Sequence, residues 1–67
     1  LERPIYREVK TDMELLAAAL AEVRVQVQDE TNAIVDYGGP IKVYNKEFVK
    51  IQDTYYSRKI HKFIVSK

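Results

Sequence analysis

From Val23 to Gln28 apolar and polar residues alternate without a break, Val23, Val25 and Val27 against Arg24, Gln26 and Gln28. A period of two predicts a strand with one buried and one wet face. The stretch before it has another rhythm. Thr11 and Glu14 form a Thr-x-x-Glu capping box, followed by Leu15-Leu16-Ala17-Ala18-Ala19-Leu20-Ala21, all strong helix formers. Asp12 and Glu14 also suit the positive end of a helix dipole. The spacing predicts a helix over 12–22. Met13, Leu16, Ala17 and Leu20 share one helical face, and Leu15 and Ala19 fall beside it. The apolar arc is therefore wider than a helix lying on one small sheet needs, and burial on more than one side is expected.

After the alternating strand, Asp29-Glu30-Thr31-Asn32 reads as a turn and Ala33–Tyr37 as the next strand. Gly38-Gly39-Pro40 is expected to break that strand, since glycine permits positive φ and proline removes a donor. Short strands follow at Ile41–Tyr44, Phe48–Gln52, Tyr55–Arg58 and Ile60–Val65, with turns at Asn45-Lys46-Glu47 and Asp53-Thr54. Such spacing predicts a meander of sequentially paired strands. Within residues 1–10, Ile5, Arg7 and Val9 alternate with Tyr6 and Glu8, which fits an edge strand opening at Pro4 or an extended arm. The expected fold class is α+β: one N-terminal helix and a short-stranded, mostly antiparallel sheet. Closure into a small barrel of the SH3 or Sm type would protect its edges, and an open sheet is the alternative.

Length sharpens this picture. With 67 residues the chain forms one domain, residues 1–67. A chain of this size buries only ~60% of the surface it exposes when unfolded, so small domains commonly add a disulfide, a metal or a partner subunit. Cysteine is absent and His61 is the lone histidine, which removes disulfides, thiolate sites and an imidazole cluster. Self-association is the remaining support. No run of ~18 apolar residues is present to span a bilayer. Leu1-Glu2-Arg3-Pro4 has no apolar signal core, although the chain opens on Leu1 and a segment upstream would not be visible. Cytoplasm is the expected compartment.

Net charge is +1, but its distribution is uneven. Residues 1–39 hold four cations against eight carboxylates, and residues 40–67 hold seven against two. An acidic half followed by a basic half suits an anionic partner, or attraction between halves of neighbouring subunits.

Catalytic chemistry finds little support. His61 lies between Ile60 and Lys62 with no identifiable nucleophile or carboxylate partner, so a structural role is expected. Asp12 with Glu14 belongs to a helix start and Asp29-Glu30 to a turn, and neither matches a calcium loop. Gly38-Gly39-Pro40 lacks the Lys-Ser/Thr of a phosphate loop. The expectation is a non-enzymatic binding or assembly module with no cofactor, no small-molecule substrate and no membrane partner. Its preferred form is a homo-oligomer held through Leu15, Ala19, Ile60, Phe63, Ile64 and Val65. Ile60 and Ile64 fall on one side of the last strand and Phe63 and Val65 on the other, more apolar surface than a small interior consumes. The alternative is a single-stranded nucleic-acid-binding barrel using Lys42, Tyr44, Lys50, Tyr56, Arg58 and Lys62, where cations would track phosphates and rings would stack on bases.

Overall fold

The computed structural model describes residues 6–66. The stretch before Tyr6, including Pro4, lies outside them. Strand β1 (Tyr6–Glu8) leads into helix α1 (Asp12–Ala21), and six strands follow: β2 (Val25–Gln28), β3 (Ile34–Gly39), β4 (Ile41–Tyr44), β5 (Phe48–Ile51), β6 (Thr54–Ser57) and β7 (Lys62–Ser66). They form two antiparallel sheets, one ordered β1-β7-β2-β3 and one ordered β4-β5-β6. The fold is α+β, and its two sheets do not close into a barrel among the described residues. α1, of ten residues, is not long enough to cross a membrane.

Helix α1 starts where the capping box places it. The Thr11 hydroxyl accepts the Glu14 N–H at 3.1 Å, and the Glu14 carboxylate accepts the N–H groups of Thr11 at 3.1 Å and Lys10 at 3.0 Å. Arg7 reaches the other carboxylate oxygen at 3.2 Å. The helix stops without a glycine: Glu22 takes the left-handed conformation at φ 54°, and its N–H returns to Ala18 and Ala19 carbonyls. Its roll about the sheet differs from expectation. Leu15 and Ala18 enter the core, whereas Met13 and Leu20 remain 80% and 75% exposed and Leu16 is also open. Val9 accounts for the difference. It is buried, and its N–H donates to the Phe63 carbonyl at 2.8 Å, so the chain is anchored two residues before the cap and the face turned inward is set.

Ten side chains make the core: Val9, Leu15, Ala18, Val25, Val27, Ile41, Val49, Ile51, Phe63 and Val65. The inward pairs Val25↔Val65 and Val27↔Phe63 set the β2–β7 register. This pairing corrects the sequential meander. β7 returns to lie between β1 and β2, because Phe63 and Val65 meet their apolar partners there and not beside β6.

Gly38-Gly39 does not break its strand. β3 runs through both glycines, bulged against β2, and Pro40 alone separates it from β4. Gly38 has φ +101°, and a Cβ there would sit 2.2 Å from the Val25 carbonyl oxygen. One run of chain thus passes from the first sheet to the second, with Gly38 held tight against the backbone of β2. Two further bonds fasten the crossing: the Tyr56 hydroxyl donates to Asp36 at 2.6 Å, and the Gln52 amide donates to the Gly38 carbonyl at 3.1 Å. The β5–β6 turn also lies one residue earlier than expected. Gln52 takes φ 55° and Thr54 already pairs with Ile51.

Three outcomes test this architecture. Gly38→Ala meets both a forbidden φ and a backbone clash, and should destabilise the domain by about 3 kcal/mol or more in urea denaturation. Thr11→Ala should cost about 1 kcal/mol. The backbone N–H groups of Lys10 and Thr11 hold the Glu14 carboxyl down from 4.5 to about 2. A carboxyl lowered on folding stabilises the fold fully above its unfolded value, so this contribution should fade as pH falls from about 4.5 towards about 2. Stability of Glu14→Gln, measured across that window, should fall less steeply than that of the parent.

Candidate binding surfaces

Apolar side chains stay exposed on several faces of the described residues, two of which are built by α1 and by the second sheet. The first is the outer face of α1, where Met13, Leu16 and Leu20 point away from the core. Beside it runs a groove of about 380 Å³ between α1 and the β1–β7 edge, lined by Val9, Met13, Ala17, Ala21, Val23 and Val65 together with the Arg7–Glu14 pair. Alanines at positions 17 and 21 keep the groove open, since a longer side chain at either would fill it.

The second surface is the outer face of the β4-β5-β6 sheet. Val49 and Ile51 face the core, so Phe48 and Lys50 face outwards. Register places Val43 and Tyr55 on either side of Lys50, and Ser57 beside Phe48. Phe48 is 41% and Tyr55 58% exposed. Their rings meet edge to face at 6.5 Å, and the Lys50 ammonium stands 5.3 Å from the centroid of Tyr55. Lys42 sits at the bulge between Ile41 and Val43 and is exposed.

The residues singled out from the sequence scatter over this framework. Of the interface set, Leu15, Phe63 and Val65 are core side chains, Val65 also lining the groove beside α1. Ala19 packs half-buried against the core. Ile60 is exposed in the β6–β7 turn, not in the last strand, and Ile64 is half-buried on the outer side of β7. Of the basic and aromatic set, Tyr44 and Tyr56 are on the inner side of their strands, packed against the core. Tyr56 is further committed by its bond to Asp36, which raises its phenol above the ordinary value. Lys62 donates to Asn32 at 2.6 Å. Lys42 and Lys50 are the two that share the second sheet's outer surface. Sequence reasoning singles out Tyr56 and passes over Tyr55, since adjacent tyrosines of one strand look alike until the register is known. The pairings Lys50↔Tyr55 and Val49↔Tyr56 put Tyr55 on the outer face and Tyr56 on the inner one.

Arg58 has a different task. Its side chain is 16% exposed and donates to the Asp12 carboxylate at 2.8 Å, to the Lys10 carbonyl at 2.9 Å and to the Asn45 carbonyl. Its own N–H donates to the Glu47 carbonyl at 2.8 Å. The planar guanidinium thus joins the helix start, the β4–β5 turn and the β6–β7 turn, a fork a single ammonium cannot imitate. It is withdrawn from any nucleic-acid face.

His61 is half-buried, with Nδ1 3.0 Å from the Ser57 carbonyl oxygen and its ring against Tyr56 at 5.3 Å. Asp29 is absorbed by its turn, accepting the Thr31 hydroxyl at 2.6 Å and the N–H groups of Thr31 and Ala33. These bonds, that with the Thr31 hydroxyl first, lower its carboxyl below the ordinary value. Among the described residues no group of three or more His, Asp or Glu is gathered to hold a metal ion. Comparison with known proteins finds no family model, no curated protein and no solved structure that matches the chain.

Removing the fork gives a direct check of its role. Arg58→Ala should lower stability by about 2 kcal/mol in chemical denaturation, since three hydrogen bonds from a charged donor are lost at once. Arg58→Lys should restore little of it.

Proposed function

We propose that this domain is a non-enzymatic assembly module that works as a homo-oligomer, its copies joined through the outer face of α1. The observation that carries the reading is the orientation of that helix, ten residues long with Met13, Leu16 and Leu20 all exposed. A helix on a small soluble domain ordinarily turns polar residues to water. Contiguous apolar surface of this kind marks a contact site. Protruding Met13 and Leu20 and the adjoining alanine-lined groove belong to the same element. A patch holding both a projection and a recess is what a two-fold contact between identical subunits needs.

The two sheets fit the expected small barrel of the SH3 or Sm type in one respect: β3 and β4 form a single bent run common to both. The outer face of α1, with Met13, Leu16 and Leu20 exposed, is free to meet another copy.

Association of this kind couples folding to concentration, so the melting temperature should rise with protein concentration and light scattering should report a multiple of 7.8 kDa. Leu20→Glu should lower mass and melting temperature together. Leu15→Glu should instead unfold the subunit, because Leu15 is a core residue. A monomeric mass with a concentration-independent melting temperature would overturn the proposal. An unchanged mass for Leu20→Glu would move the interface away from α1.

A further inference from the structure

We infer that the outer face of the β4-β5-β6 sheet is a stacking platform for single-stranded nucleic acid. The inference does not rest on self-association. It concerns a face built by other elements than α1.

Three features of the face carry it. The first is the pair of open rings. Phe48 and Tyr55 lie on adjacent strands, exposed and fixed against one another at 6.5 Å in an edge-to-face contact. Rings held in this way lose little conformational freedom on meeting a flat partner, and every nucleobase offers a flat partner. The second is charge. Lys50 lies between Val43 and Tyr55 in register, and Lys42 projects from the neighbouring bulge. Lys46 and Lys59 stand in the turns that Arg58 and Glu47 bring together at one end of the sheet. Among the described residues none of these four lysines is engaged in an ion pair. The third is what the face excludes. Its outward positions are Val43, Phe48, Lys50, Tyr55 and Ser57, with no carboxylate. The acids of the same stretch of chain, Glu47 and Asp53, are in the turns at the two ends, and Asp12, near the Glu47 end, is paired with Arg58. An acidic peptide would find the cations but no use for two splayed rings. A neutral peptide would find the rings but no use for the lysines. A single strand uses both, its bases on Phe48 and Tyr55 and its phosphates on the lysines.

Strands of four residues rise about 13 Å, so one domain has room for only a few bases. Affinity for a single copy should be modest and strongly dependent on salt.

The test is fluorescence anisotropy with short labelled oligothymidylate and oligouridylate at low salt. Phe48→Ala and Tyr55→Ala should each weaken binding ~5-fold or more, while Tyr55→Phe, which keeps the ring, should bind like the parent. Lys50→Ala should weaken binding and flatten its salt dependence. Both rings are exposed, so these variants should melt like the parent, which calorimetry verifies. Val35→Ala, on the first sheet, should bind unchanged. Failure to bind either oligonucleotide at low salt overturns the inference. So does binding that Tyr55→Ala leaves intact and that heparin or duplex DNA matches, since that pattern is bare charge attraction without stacking.

Discussion

The Val25 carbonyl lies where a side chain at position 38 would begin, and the rest of the architecture follows from this close approach. Because Gly38 has no Cβ, β3 can lie tight against β2 and deliver the chain into a second sheet without a connecting loop. Val25 is then covered on three sides: by β7 through its pairing with Val65, by β3 through Gly39, and by the core it faces. The bonds from Tyr56 to Asp36 and from Gln52 to Gly38 hold the second sheet against the crossing. A ten-residue core would be thin insulation for two independent sheets. It suffices here because the sheets share one strand run and enclose the same side chains.

Economy in the interior has its counterpart on the surface. Three exposed apolar residues on α1 and an aromatic pair on the second sheet are left over once Leu15, Ala18, Val49 and Ile51 have been consumed. These two surfaces face different surroundings. Carboxylates dominate the part of the chain that builds α1 and the first sheet's N-terminal strands, and lysines dominate the part that builds the second sheet. Arg58 is where the two parts are joined, a basic-half residue spent on the acidic start of the helix. One of the strongest apparent members of the basic patch is therefore a structural tie, and Lys42, Lys46, Lys50 and Lys59 are left without an ion pair among the described residues.

Local chemistry was legible in the chain, and long-range placement was not. Thr11 and Glu14 announced the helix start because a capping box is complete within four residues. The Val25 and Val27 alternation announced β2 for the same reason. The inward face of α1 could not be read, because Met13, Leu16 and Leu20 are as apolar as Leu15, and the choice between them is made by the distant bond between Val9 and Phe63. Gly38-Gly39 announced unusual backbone but not its purpose, since a break and a close crossing demand the same residues. Tyr55 and Tyr56 are neighbours in one strand, and only the register against β5 sets exposed Tyr55 beside Lys50 and half-buried Tyr56 beside Val49. Arg58 gave no local sign of its role, having partners at Asp12, Lys10 and Asn45 that only the folded chain assembles.

The place of β7 between β1 and β2 bears on how the domain reaches its native state. Every hairpin of the second sheet closes a short loop, whereas Val27 meets Phe63 and Arg7 meets Val65 across most of the chain. Long loops carry their entropy cost before any contact offsets it, so chains dominated by such pairings fold slowly. The β4-β5-β6 sheet and α1 are the parts that can form early from local contacts. β7 completes the first sheet through distant pairings with β1 and β2. Phe63 and Val65 are therefore the core residues whose burial carries the largest loop-closure cost, so the fold's interior is completed by the end of the chain that lies farthest in sequence from its partners.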